Sequence, residues 1–207
     1  MAFIGGAMGG FALLRTGVLG SAQTSNLAEL VVELVGRDLY HALLRVVAML
    51  IYAAGLILTR VIPKYTNWNL KVFSAVVNIL CIVLIGFMPT GWNSVIALWP
   101  VFFMTSIQWN SFPGARGYVS ASIFSTNNYR QLVTGITDYL LDKDREAASR
   151  AWFFGGTLTF FHLGVALSCI AIMQLGFHAI WLFTMPSAAV IPFICKERRL
   201  AQAAAQK

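Results

Sequence analysis

Charge is the scarcest property of this 207-residue chain: it has 8 Asp and Glu and 15 Lys and Arg, about half the share of a soluble domain. That shortage argues against a soluble enzyme. Cysteine is limited to Cys81, Cys169 and Cys195, in or at the ends of apolar runs and without the close pairing of a metal site or a disulfide framework. They read as inert packing residues. The three histidines, His41, His162 and His178, have no partner at ligand spacing and read as structural. Without a nucleophile and base or a metal cluster, no catalytic activity and no cofactor are expected. The apolar N-terminus lacks a cationic n-region ahead of it, so it reads as a retained span rather than a signal peptide. The net charge of +7 comes without a basic stripe interleaved with stacking aromatics, which excludes nucleic acid as the expected partner.

What the chain has in abundance is apolar surface. Hydrophobic residues are 58% of the sequence and mean hydropathy is +0.71; roughly 120 apolar positions match six spans of about 20 residues each. Apolar runs lie at Ala2–Leu14, Arg45–Ile62, Val72–Met88, Val95–Ile107, Ala151–Met173 and Phe177–Ile194, punctuated by Pro63, Pro89-Thr90-Gly91 and Gln174-Leu175-Gly176. Two further stretches, Thr24–Val35 and Thr126–Leu141, are amphipathic and carry Glu29, Glu33, Arg130, Gln131 and Asp138. If those two do not cross the bilayer, 12 cations fall on one side and Arg15, Arg37 and Arg45 on the other. Cytoplasmic loops are enriched in Lys and Arg, so six full spans with both termini cytoplasmic are expected in a cell inner membrane.

The halves resemble each other. Arg15 to Asn26 aligns without gaps on Arg116 to Asn127, with Arg, Val, Ser and Asn coinciding. Three spans per half is an odd number, so the halves insert upside down relative to one another, as in secondary transporters. The expected fold is therefore all-α, with a first repeat at 1–92 containing a half-helix at 24–36. A second repeat at 93–195 contains a half-helix at 126–141, and 196–207 is a basic cytoplasmic tail.

Thr24, Ser25 and Asn26 in one half, and Ser125, Thr126, Asn127 and Asn128 in the other, are good N-cap residues ahead of helix-compatible sequence. The preceding Val18–Gln23 and Tyr118–Phe124 read as extended backbone, which is tolerated at membrane depth only where protein or a watery cavity satisfies it. Two such elements bring positive helix ends towards the midplane, suited to an anion or a polar group. With Arg15, Arg116 and Gln108 these residues form the candidate substrate-binding set. Glu29 and Arg130 occupy equivalent positions, and the symmetry offers them as a charge pair. The plainer alternative is that the polar clusters only bond helix to helix and the two arginines snorkel. Two classes follow: a small transporter or channel-like protein binding a small polar or anionic solute, and a non-catalytic membrane scaffold or regulatory subunit. In the second, the tail Lys196-Glu-Arg-Arg199 docks anionic lipid or a partner. Six spans make a thin wall around a cavity, so a homodimer is expected.

Phe3-Ile-Gly-Gly-Ala-Met-Gly-Gly-Phe11, then Arg15-Thr-Gly-Val-Leu19, then Ala22-Gln-Thr-Ser-Asn26 resembles the first-half signature of the YoaK family of bacterial multi-pass membrane proteins. Phe102-Phe-Met-Thr-Ser-Ile-Gln108, Gly117-Tyr118 and Thr126-Asn-Asn-Tyr-Arg130 are similar to its second half. The resemblance implies an integral inner-membrane protein of about six spans with no settled activity. Where that family shows Asp in the first span this chain has Gly9, removing a candidate proton or cation site. Where it shows Thr-Gly-Asn, this chain has Thr24-Ser25-Asn26 and Thr126-Asn127-Asn128. That register differs by one residue from the gapless alignment.

Overall fold

Apolar sequence of this kind folds as helix, because backbone groups removed from water must be satisfied within the segment. The computed structural model describes residues 1–19 and 23–205. Its helices are α1 (Ala2–Thr16), α2 (Gln23–Val35), α3 (Leu39–Tyr65), α4 (Leu70–Phe87), α5 (Ser94–Ala97), α6 (Trp99–Ser111), α7 (Thr126–Asp142), α8 (Arg145–Leu175) and α9 (Thr184–Ala205). A 3-10 segment, Phe177–Phe183, leads into α9. A two-residue hairpin pairs β1 (Gly114–Ala115) with β2 (Tyr118–Val119). Gly20, Ser21 and Ala22, part of the stretch expected to be extended, and Gln206 and Lys207 of the tail lie outside the described residues.

The helix ends follow local chemistry. The side chains of Asp38, Asn69, Asn93 and Asp144 each accept a backbone N–H of the helix they open, which satisfies donors otherwise orphaned. The His41 N–H bond also holds the Asp38 carboxyl below its ordinary range. Gly17, at φ 75°, closes α1 in the left-handed region that glycine occupies without strain. Two expectations need correction. Pro63 does not end the third helix, which continues to Tyr65. The run Val95–Ile107 is not one helix but two, α5 and α6, meeting at Leu98; Pro100 lacks the N–H that would continue the ladder and suits a helix start.

Four segments are long and apolar enough to cross a membrane: Leu39–Tyr65, Leu70–Phe87, Arg145–Leu175 and Phe177–Ala204. α1 is apolar but shorter. Large apolar side chains such as Leu50, Ile57, Leu80, Leu84, Phe160 and Leu167 stand exposed on the long helices. Such an apolar exterior suits lipid as the surrounding medium. This is an all-α membrane protein.

α1 packs on α8 and α6 on α3, while α2 folds back on α3 and α7 on α8; α4 packs on both α6 and α9. Apolar exteriors give lipid-immersed helices no reason to associate, so close packing of small residues decides which of them meet. A Cβ on Gly6 would strike the Phe161 carbonyl, and one on Gly164 the Phe3 carbonyl. Ser168 Oγ donates to the Ala7 carbonyl at 2.8 Å. In the same way Gly55 of α3 lies against the Ser106 hydroxyl of α6. Around these contacts the core gathers Met8, Phe11, Ile82, Val101, Met104 and Ile180.

Gly164→Val is expected to lower stability by about 1–3 kcal/mol, the usual cost of overpacking, or to prevent folding. Gly156→Ala, where an added Cβ meets nothing within 4 Å, is expected to be neutral or stabilising. Thermal unfolding of both variants in detergent checks the contrast.

Candidate solute site

Each half breaks its helix before the short amphipathic one. In the second half, α6 ends at Ser111 and the hairpin turns through Arg116 and Gly117 at φ 55° and 81°. A two-residue hairpin turn requires such left-handed geometry. The chain then runs through Ser120, Ala121, Ser122 and Ile123, all buried, to the start of α7. Asn128, 1% exposed, closes on this stretch: Nδ2 donates to the Ala121 and Phe124 carbonyls at 2.6 and 3.3 Å, and Oδ1 accepts the Ala121 N–H at 3.2 Å. In the first half, Asn26 is equally buried; its Nδ2 donates to Gln23 Oε1 and to the Arg45 carbonyl, both at 3.2 Å. The two buried asparagines stand 102 residues apart, which is the Thr-x-Asn register rather than the gapless one.

The capping expectation does not hold in detail. α2 begins at Gln23, so Thr24, Ser25 and Asn26 sit within its first turn. Ser25 Oγ donates to Glu29 at 3.0 Å, and Thr24 is exposed. Ser125 occupies the N-cap of α7 without a side-chain bond. Thr126 is exposed, and Asn127 accepts from Arg130 at 3.0 Å. The expected Glu29–Arg130 pair is absent. Arg45 of α3 instead pairs with both Glu29 and Glu33, the latter at 2.6 Å. Ion pairs form where a short turn already brings partners together, and here they lock α2 onto α3. Asp138 and Arg150 do the same for α7 and α8. Glu33 to Arg45 and Asp138 to Arg150 both span 12 residues.

Arg15 and Arg116 are not brought together. Arg15 donates to the Pro89 carbonyl at 2.9 Å and lies over the Phe177 ring, tying α1 to the loop after α4; Arg116 is exposed in the hairpin turn. A cavity of about 260 Å³ adjoins the first break, lined in part by Thr16, Val18, Glu29, Arg45 and Ser94.

Gln108 forms the hub of a buried polar cluster. Its Oε1 accepts from Asn78 Nδ2 at 2.8 Å, and its Nε2 donates to Ser122 Oγ at 3.0 Å and to the Met1 carbonyl at 3.2 Å. Asn78 and Gln108 are 0% exposed. Asn78 Oδ1 and, one turn earlier on α4, the hydroxyl of fully buried Ser74 have no hydrogen-bond partner. Buried polar atoms are seldom left so, and these two leave a free acceptor and a hydroxyl on one helix face. Asn78 is the residue the sequence reading missed; an amide in the middle of the Val72–Met88 run is itself the signal.

The whole arrangement falls within a known family. The chain belongs to the family described as protein of unknown function DUF1275, whose model matches residues 1–192. No curated protein and no solved structure matches it. Membership therefore supplies no activity, and the geometry carries the functional reading.

Gln108→Leu is expected to destabilise the protein by about 1–3 kcal/mol, because it orphans groups that Gln108 satisfies. Adding Asn78→Leu should recover part of that loss, since removing both partners of a buried bond costs less than removing one. A double-mutant cycle in thermal unfolding reads the coupling.

Proposed function

We propose that this chain is a small carrier or channel-like membrane protein that binds a small polar or anionic solute between paired discontinuous helices. The observation that carries the reading is the repeated break. In each half a helix stops, non-helical backbone follows, and a short helix begins around a buried asparagine, Asn26 or Asn128. Non-helical backbone at such depth is characteristic of chains that line a path for solute. The unpartnered Ser74 hydroxyl and Asn78 Oδ1 add groups that a polar solute can satisfy.

The proposal includes two inverted three-span repeats, 1–92 and 93–195. Support comes from packing partners that exchange between halves: α1 on α8 answers α6 on α3, and the α2–α3 hairpin answers α7–α8. It also includes six spans with both termini cytoplasmic in the inner membrane, a homodimer, no catalytic activity, and kinship with the YoaK proteins on the motifs quoted above.

The test is thermal stabilisation of the detergent-purified protein by a panel of small anions, amino acids, sugars and nucleobases. A ligand at about 100 times its dissociation constant adds about 2.7 kcal/mol. A stabilising solute is expected, with the effect weakened in Asn26→Ala, Asn128→Ala and Asn78→Ala, and the same solute should cross liposome membranes. No stabilisation by any solute, together with a stably co-purifying protein, overturns the carrier reading in favour of a scaffold. For the topology, a single cysteine at Asn67 is expected to react with an impermeant maleimide only after the cells are opened. Labelling from outside overturns the orientation.

A further inference from the structure

Two cavities meet where α4 begins beside the middle of α9, and they differ in character. One, of about 610 Å³, carries Lys71, Asn110, Glu197 and Arg198 on otherwise largely apolar walls. The other, of about 450 Å³, runs along Val72, Phe73 and Val76 of α4 and reaches Cys195. Both are bordered by Trp68, Asn69 and Arg198, so the pair forms a single site with a polar and an apolar end. Trp68 is 65% exposed in the turn between two membrane-length helices, a place that suits an amphipathic ring.

Charge decides what fits. Lys71 Nζ bonds both carboxylate oxygens of Glu197, at 3.0 and 3.1 Å, so that pair is close to neutral. Arg198 forms no ion pair among the described residues, and Lys196 and Arg199 flank it. The polar end is therefore net positive. The planar donor fork of a guanidinium can bond two phosphate oxygens at once, whereas a free phosphate leaves the apolar end unfilled. We propose that these joined cavities hold one anionic phospholipid, its phosphate on Arg198 with Lys71 beside it and one acyl chain along Val72 and Val76. Basic pockets between helices on the cation-rich side of a membrane protein are suited to such headgroups. The polar cavity reaches Ser111 and Pro113 at the second helical break, but the lipid site stands whether or not the protein moves a solute.

The experiment uses the full chain, delipidated in neutral detergent and titrated with phosphatidylglycerol, phosphatidylcholine or glycerol phosphate while its unfolding temperature is followed. A saturable rise with phosphatidylglycerol alone is expected. Arg198→Gln should raise the half-saturating lipid fraction about tenfold. Val76→Trp, which fills the apolar end, should weaken it comparably, while Arg199→Gln leaves it unchanged. Glu197→Gln removes the one negative charge at the polar end and should tighten binding. Equal effects of phosphatidylcholine or glycerol phosphate overturn the proposal, as does no rise at all. An Arg199→Gln loss as large as that of Arg198→Gln also overturns it, because diffuse surface attraction then accounts for the binding.

Discussion

Backbone that leaves the helix in a low-dielectric interior must find its hydrogen bonds inside the protein, and this demand shapes the rest of the molecule. Asn128 meets it by imitating backbone: one side-chain amide accepts from and donates to Ala121 while also reaching the Phe124 carbonyl. An amide is the side chain suited to this task, having a donor and an acceptor in one plane. The pinned stretch then presents the Ser122 hydroxyl to Gln108, and Gln108 in turn holds Asn78 of α4. The helical break, the hairpin and the buried polar centre are thus one connected construction. Asn26 serves a related end in the first half, with the Arg45 carbonyl of the neighbouring helix as its acceptor.

Such breaks are stable only if the surrounding helices are held closely, and hydrophobicity alone does not hold them in lipid. Glycine does so at the crossings of α1 with α8 and α3 with α6, where backbone or a serine hydroxyl occupies the space a Cβ would need. The short helices use another device. α2 and α7 bury little beyond Asn26 in one and Asn128 and Gly135 in the other, and each is fastened by an arginine of the next long helix. A half-buried ion pair across a short turn costs little entropy to form, because the turn has already brought the partners near.

Much of this was legible in the sequence. The two amphipathic helices lie within a residue or so of their expected bounds, since charge and apolar periodicity mark them independently of tertiary contacts. The break at Leu98 was harder to read, because an uninterrupted apolar run conceals a proline that merely restarts the helix. Asn26, Asn128 and Gln108 stand out as polar residues amid apolar sequence, but their roles depend on partners far along the chain. Gln108 meets Asn78, 30 residues away, and no local pattern encodes that meeting. The Glu29–Arg130 pair failed for a related reason: pseudo-symmetry made it attractive, yet Arg45, in the second turn of α3, was closer to hand.

These placements bear on what kind of solute the interior suits. Arg15 is engaged with loop carbonyls and an aromatic ring, and Arg116 stands exposed in a turn. Arg45 faces two carboxylates, so its neighbourhood carries one net negative charge. A small anion would then find only the partial positive charge of helix ends, against the repulsion of Glu29 and Glu33. The polar centre offers the opposite setting: Asn78, Gln108, Ser74 and Ser122 are all uncharged, with an acceptor and a hydroxyl still free. A neutral molecule bearing both donors and acceptors satisfies those groups without bringing a charge into low dielectric, where desolvation is most costly. Within the carrier reading, the weight of the electrostatics therefore lies with uncharged polar solutes.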